Sequence, residues 1–435
     1  MLVDDTIFAL SSGSLPAGLA VIRLSGPRAL AVAETLAGPL PPAREAVLRT
    51  IRAPDGMVID SGLVVTFRAP RSFTGEDCVE LHLHGSRAVV SMTYSLLESL
   101  GLRLAEPGEF SKRALENGKL DLVEAEGLSD LLRAETEMQR RLAIEQADGG
   151  LSSIYRQWAA DLTRSRAFIE AELDFADEDD VPGSVSDTVW RMIERMKQAI
   201  DDQLNATQSG RIVRDGFQVA IMGQPNAGKS SLLNALAGRD IAIVTEIEGT
   251  TRDVLTVDLD IQGYLVRFSD TAGIRDTDDV VEREGIRRAR LVAEQADLVL
   301  MLGDSLTDIE DVNRLDAPVW RVRTKIDAVS HADLTGFDFS LSSITGEGLA
   351  ELKAAIGAIV AERWQTISAL KPGRVRHIQL LQRASNLLQE ALEGSQLDMQ
   401  AECLRLAAAE MGRITGHVDV EQLLDVIFSE FCIGK

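Results

Sequence analysis

Between residues 1 and about 116, short apolar runs alternate with amphipathic stretches. Ala20–Leu24, Gly62–Phe67 and Cys78–His84 predict strands, and Leu30–Leu36 and Val89–Leu100 predict helices. The segment Arg71-Ser-Phe-Thr-Gly-Glu-Asp77 is a polar, glycine-containing loop between strands. From Leu120 to about Thr207 the period changes. Leu120, Val123, Leu128, Leu131 and Leu132 share a helical face, and strand signals are absent. An acid-rich turn at Asp177–Gly183, with Pro182, interrupts these long helices.

Residues 216 to about 362 alternate strand and helix. Phe217–Met222, Val254–Leu259, Leu265–Ser269, Leu298–Leu302, Val319–Arg323 and Phe337–Leu341 are the strand candidates. Short helices separate most of them, which predicts a mostly parallel, doubly wound sheet. The second and third candidates meet at Gln262-Gly263 and predict an antiparallel hairpin. After the break Lys371-Pro-Gly-Arg374, helix returns to about Phe431. The expected fold class is multidomain, α/β plus all-α, with a doubly wound domain inserted into a helical one. The expected boundaries are 1–117, 118–213, 214–370 and 371–435.

Composition narrows the class. A length of 435 residues fits about three domains, and 45% hydrophobic with 26% charged residues excludes a mainly disordered chain. No run of eighteen or more apolar residues occurs, so no membrane span is expected. Met1–Asp5 holds two acids and no base, unlike a secretory signal, and a cytoplasmic protein is expected. Cys78, Cys403 and Cys432 are odd in number and far apart, which indicates neither a disulfide framework nor a structural zinc site. The net charge of −23 repels nucleic acid at long range. Any RNA contact then needs a local basic patch or a basic partner.

The strongest chemical signal is Gly223-Gln-Pro-Asn-Ala-Gly-Lys-Ser230, a GxxxxGKS loop after an apolar strand and before the helix Ser231–Leu236. Backbone N–H groups of Asn226, Ala227, Gly228, Lys229, Ser230 and Ser231 suit a nucleotide's phosphates. Lys229 is expected to reach the β and γ oxygens, and the Ser230 hydroxyl to coordinate magnesium. Downstream, Asp270-Thr271-Ala272-Gly273 follows a strand. Its acid can hold magnesium through water, and Gly273 can offer an N–H to the γ-phosphate. Between the two lies Gly249-Thr250-Thr251-Arg-Asp253, where Thr251 is the candidate to join the magnesium shell. In this order the three motifs predict a switch GTPase.

The base-recognition stretch is Thr324-Lys325-Ile-Asp327, with threonine where asparagine is usual. Asp327 keeps the guanine contact, Lys325 can cover the ring, and one contact from position 324 is expected to be shortened or lost. Ser342 and Ser343 open the last guanine loop. Ile274 stands where a water-orienting glutamine is often found, so another group is needed. Glu282 and Glu284 can supply a carboxylate, or serve as solvated helix-start acids. Asn226 can bind a monovalent cation beside phosphate, or shape the loop.

Further segments extend from Asp5-Thr-Ile7 through Arg23-Leu-Ser-Gly26, Ser72-Phe-Thr-Gly-Glu-Asp77, Pro107-Gly-Glu-Phe110 and Lys119-Leu-Asp-Leu122 to the terminal Phe431-Cys-Ile-Gly-Lys435. With Pro225–Asn234 and Gly249–Asp253, these resemble the MnmE (TrmE) family of tRNA modification GTPases along the whole chain. The resemblance implies a folate-binding N-terminal domain that forms a homodimer, a helical domain and an inserted GTPase domain. It implies a reduced folate (5-formyl- or methylene-tetrahydrofolate) at Arg23, Glu80, Lys119 and Lys435. It implies potassium at Asn226, Thr245, Ile247 and Thr250, a GTP contact set that includes Thr245, Glu246, Ile247 and Glu248, and Glu282 as the water-positioning acid. Its partner would be an MnmG-like flavoprotein carrying FAD, forming a heterotetramer in which the partner holds most of the tRNA. Together they would install an aminomethyl-type (carboxymethylaminomethyl) group at carbon five of the wobble uridine.

Two departures qualify the match: Ser14-Leu-Pro-Ala-Gly18 is less glycine-rich than the family's loop, and Thr324 replaces asparagine. A ribosome-assembly or signalling switch GTPase without modification activity is the alternative from the GTPase motifs alone. Glu80, His82 and His84 would share one strand face, where paired histidines are expected more than a metal. Cys432 is a candidate near the one-carbon site, or a small buried helix residue.

Overall fold

The computed structural model describes residues 5–174, 185–205, 207–224, 226–238, 242–243, 255–270, 291–303, 317–328, 336–365, 373–416 and 434. The chain forms two compact units, residues 1–129 with 412–435, and residues 130–411. Among the described residues no helix is long and apolar enough to cross a membrane.

The first unit is built on a six-stranded sheet. Its strands are β1 (Ile7–Leu10), β2 (Ala17–Ser25), β3 (Val47–Arg52), β4 (Val58–Phe67), β5 (Cys78–Gly85) and β6 (Arg103–Leu104), in the order β3-β4-β5-β2-β1-β6. All neighbours pair antiparallel except β1 and β6. Alternation sets the faces: β5 buries Val79, Leu81 and Leu83 and turns Glu80 and His82 to the other side. Helices Ala29–Ala37 and Arg87–Ser99 contribute Leu30, Leu36 and Leu97 to that buried face. The second helix starts where Ser86 accepts the Val89 amide on its hydroxyl.

The expected strands and helices of this unit are present. β1, β3 and β6 are additional. β1 is only four residues long, and Val-Leu-Arg-Thr-Ile-Arg in β3 has no clean alternation because Leu48 is 64% exposed.

The second unit joins helices to a seven-stranded sheet. The helices include Glu137–Ala147, Gly150–Asp174, Val185–Asn205 and Val375–Glu393. Val185–Asn205 lies along Val375–Glu393, where Ser385 Oγ donates to Asp201 Oδ1 at 2.5 Å. The expected turn at Asp177–Gly183 lies outside the described residues.

The sheet contains β7 (Phe217–Gly223), β8 (Ala242–Ile243), β9 (Leu255–Ile261), β10 (Tyr264–Asp270), β11 (Leu298–Gly303), β12 (Val319–Arg323) and β13 (Phe339–Ser340). Their order is β13-β12-β11-β7-β10-β9-β8. The pairs from β13 to β10 are parallel, and β9 pairs antiparallel with both β10 and β8. The hairpin turns at Gln262 and Gly263, whose φ of 57° and 87° are the two left-handed positions that match strand twist. Sequence order reverses on either side of β7, so its carboxyl end opens at a topological switch point.

The α/β segment enters and leaves the helices side by side. Arg214 Nη1 donates to the Gly373 carbonyl at 3.3 Å. A Cβ on Gly373 would sit 2.9 Å from the Gly210 carbonyl oxygen, so glycine permits this close crossing.

Candidate nucleotide-binding site

The loop after β7 has the backbone that phosphate binding requires. Gly223 has φ 145°, and a Cβ there would meet the Leu302 carbonyl oxygen at 2.3 Å. Asn226 and Gly228 are also left-handed, at φ 65° and 91°. The chain then enters the helix Lys229–Ala237, longer by two residues at its start than the pattern predicted. The helix N-terminus and its free amides face the loop, an arrangement suited to an anion.

Lys229 is buried, and its Nζ donates to the carbonyls of Gly223 and Gln224 at 2.7 and 2.9 Å. Burial pushes its pKa down, and the nearby Asp270 carboxylate opposes that shift. Asp270 ends β10 and is itself buried. Ser230 Oγ donates to Asp270 Oδ2 at 3.2 Å. Two of the three groups expected around magnesium, Ser230 and Asp270, thus come together, one from the helix start and one from the strand next to β7. Both are hard oxygen donors, which suits magnesium.

The base loop is tied to the phosphate loop in a way the motif did not reveal. Thr324 is buried, and its hydroxyl donates to the Ala227 carbonyl at 2.7 Å. Lys325, at φ 59°, donates through Nζ to the Asn226 carbonyl at 2.7 Å. Asp327 follows in the exposed turn Ile326–Ala328. Ser342 is buried, and its hydroxyl accepts the amides of Ile344 and Thr345, both at 3.2 Å. Ser343 is half-buried beside it. Thr245 to Thr251, Thr271, Ala272, Gly273, Ile274, Glu282 and Glu284 lie outside the described residues.

A second cluster lies in the first unit. Arg23 on β2 donates through Nε and Nη2 to Glu80 Oε1 at 3.1 and 3.0 Å. Its guanidinium also lies 5.4 and 5.7 Å from the ring centroids of Phe73 and Phe110. His82 Nε2 meets the other Glu80 oxygen at 3.2 Å, and His84 Nδ1 pairs with Asp60 at 2.8 Å. Among the described residues no group of three or more His, Cys, Asp or Glu is arranged to hold a metal. Lys119 borders the loop that carries Phe73, since its Cγ would stand 3.2 Å from a Cβ on Gly75. Lys435 and Cys432 lie outside the described residues. The adjoining Gly434 carbonyl accepts the Ser11 hydroxyl at 2.8 Å, one residue beyond β1, whose Ala9 pairs with Arg23.

The motif segments of this unit hide a further network. Arg113 is 3% exposed and binds Asp5, Glu76 and Glu109. Ser25 Oγ donates to Glu76 Oε2 at 2.6 Å. Arg23-Leu-Ser-Gly26 and Ser72–Asp77 therefore have structural roles of their own. Sequence spacing gives no sign that Glu76 and Arg113 meet across 37 residues.

Comparison with known proteins decides the family. Residues 6–119 match the family described as GTP-binding protein TrmE N-terminus, and residues 122–432 match the MnmE helical domain. The chain belongs to the MnmE family. A tRNA modification GTPase MnmE of Rhizobium meliloti (strain 1021) is 57% identical over 439 residues, covering 100% of both chains. Those of Sinorhizobium medicae (strain WSM419) and Agrobacterium fabrum (strain C58 / ATCC 33970) are each 56% identical, covering 100% and 99% of both chains respectively. The expected fold class agrees with this membership, since the TrmE-type segment coincides with the first sheet, and the phosphate loop, Asp270 and Thr324–Asp327 lie at strand ends of the second.

Proposed function

We propose that this MnmE-family chain hydrolyses GTP at the loop Gly223–Ser231, and that the hydrolysis cycle drives modification of tRNA. The carrying observation is the phosphate site itself. Lys229, Ser230 and Asp270 converge at the end of β7, in a chain matched end to end by relatives named as tRNA modification GTPases. The loop amides and the helix N-terminus bind the phosphates. Ser230 and, through water, Asp270 would hold magnesium, with Thr251 as a further ligand. When bound, magnesium neutralises charge on the β and γ oxygens. Thr324 and Lys325 keep the loop in register with Asp327, which accepts the guanine N–H groups.

Glu282 orients the attacking water, and Asn226, Thr245, Ile247 and Thr250 would hold potassium, whose charge would serve where an arginine finger otherwise does. Neutral amide, hydroxyl and carbonyl oxygens form a donor set that suits a large monovalent cation. In the first unit, Arg23, Glu80, Lys119 and Lys435 hold a reduced folate that supplies a one-carbon unit. Cationic groups suit the folate carboxylates, and a carboxylate suits the pterin N–H edge. The paired, ring-stacked Arg23–Glu80 couple supports this assignment.

A homodimer through the N-terminal domain is supported by apolar groups left on its sheet. Leu48 and Leu63 are opposite each other on β3 and β4 and are 64% and 40% exposed. An MnmG-like flavoprotein bearing FAD completes a cytoplasmic heterotetramer that installs the carboxymethylaminomethyl group at C5 of the wobble uridine. Nucleoside analysis of tRNA from cells lacking the chain, described at the close of the Discussion, tests this function.

A further inference from the structure

A chain of net charge −23 repels RNA at long range. A tRNA contact of its own needs a local group of cations not held in ion pairs with carboxylates. The arginines of the first unit divide on this point. Arg23, Arg103 and Arg113 are bound to carboxylates. Others have no carboxylate partner among the described residues, and of these Arg44, Arg68 and Arg71 are exposed.

These three lie together. Arg68 and Arg71 open and close a turn in which the Arg71 amide donates to the Arg68 carbonyl at 2.8 Å. Arg44 crosses to the same turn, where its Nη2 donates to the Arg71 carbonyl at 2.8 Å. Its guanidinium also lies 6.0 Å from the Phe67 ring centroid. Two acids stand beside the turn and are outnumbered by the three arginines: Asp77 accepts the Ala69 amide within it, and Glu45, next to Arg44 in the chain, is exposed. Arg44 has φ 69°, a left-handed conformation strained for an L side chain. One of its N–H groups fixes the guanidinium, and the remaining donors of the fork are presented to solvent.

We propose that Arg44, Arg68 and Arg71 form a patch through which this chain contacts the phosphate backbone of tRNA. The proposal rests on the tRNA-modification reading and adds to it a place of contact on this chain. Guanidinium forks match phosphate oxygens, and contacts of this kind position RNA without reading its sequence.

The test titrates a labelled tRNA transcript with the full chain at several KCl concentrations. It compares the wild type with a triple variant Arg44→Gln, Arg68→Gln, Arg71→Gln, and with the corresponding triple lysine variant. Each phosphate contact adds a little under one unit to the slope of log affinity against log salt. The glutamine variant is expected to bind about tenfold more weakly at low salt and to flatten the slope by about two units. The lysine variant is expected to keep most of the slope, and GTP hydrolysis to be unchanged in both. Wild-type protein that does not bind, a glutamine variant that binds like the wild type, or an equal loss in both variants would each overturn the patch. Nucleoside analysis of cells rescued with the wild-type chain tests the modification reading separately, so either claim can fail while the other stands.

Discussion

The Thr324 hydroxyl donates to the Ala227 carbonyl at 2.7 Å and so joins the base-recognition loop to the phosphate loop. The sequence led us to expect that threonine at this position shortens or loses a contact. The structure adds that its hydroxyl faces the phosphate loop, and base discrimination is proposed to rest with Asp327. Thr324→Val keeps the shape and removes the donor. Affinity for GTP and GDP is expected to fall about tenfold together, about 1.4 kcal/mol. The preference for guanine over adenine should remain in this variant and disappear in Asp327→Ala. Competition binding with both bases checks this, and unchanged nucleotide affinity in Thr324→Val would contradict the tether.

Ser230 and Asp270 meet at 3.2 Å. Ser230→Ala removes the proposed magnesium ligand while leaving the loop backbone in place. Hydrolysis is expected to drop about a hundredfold or more, with GDP binding in chelator little changed. A magnesium titration of turnover is the check, and a wild-type magnesium requirement in the variant would exclude Ser230 as a ligand.

The hydrolytic assignments of Glu282 and potassium lead to a paired test. Glu282→Ala should lower turnover by about a hundredfold while sparing GTP affinity. Replacing KCl by NaCl should slow the wild type, and Asn226→Ala should lose most of that salt distinction. Stopped-flow binding and single-turnover hydrolysis separate the two effects. Unchanged turnover in Glu282→Ala removes it from the mechanism.

The network around Arg113 predicts acid sensitivity. Burial alone raises the Asp5 and Glu109 carboxyls, but hydrogen bonds from Arg103 and Arg113 more than reverse this and hold both below the usual range. Carboxylates with lowered folded pKa values stabilise the fold above their unfolded values, near pH 4. That stability is lost as pH falls through the lowered folded values. Arg113→Met is expected to destabilise the first unit by on the order of 3 kcal/mol at neutral pH. Its loss of stability below about pH 4 should also be shallower than in the wild type. Denaturant melts across that range give the result, and a wild-type acid profile in Arg113→Met would show that Arg113 does not set these carboxyls.

Much of the fold is legible where the pattern is strict. β5 alternates Val79, Leu81 and Leu83 against Glu80 and His82, and Gln262-Gly263 marks a hairpin by backbone preference alone. The edge strand β3 is not legible, because an exposed Leu48 and a half-buried Arg49 break its period. The phosphate loop is local in sequence, so its glycines, lysine and serine announce it. The tether from Thr324 to Ala227 spans 97 residues, and the Ser25–Glu76 contact spans 51. Such pairings depend on strand order, which no local spacing encodes.

The central claim is that GTP hydrolysis at this site drives tRNA modification. The most direct measurement is mass spectrometry of tRNA nucleosides from cells lacking the chain, rescued with the wild type or with Ser230→Ala. The account predicts that the carboxymethylaminomethyl-type wobble uridine disappears on deletion, returns with the wild type and does not return with Ser230→Ala. A nucleoside profile unchanged by deletion would contradict the account.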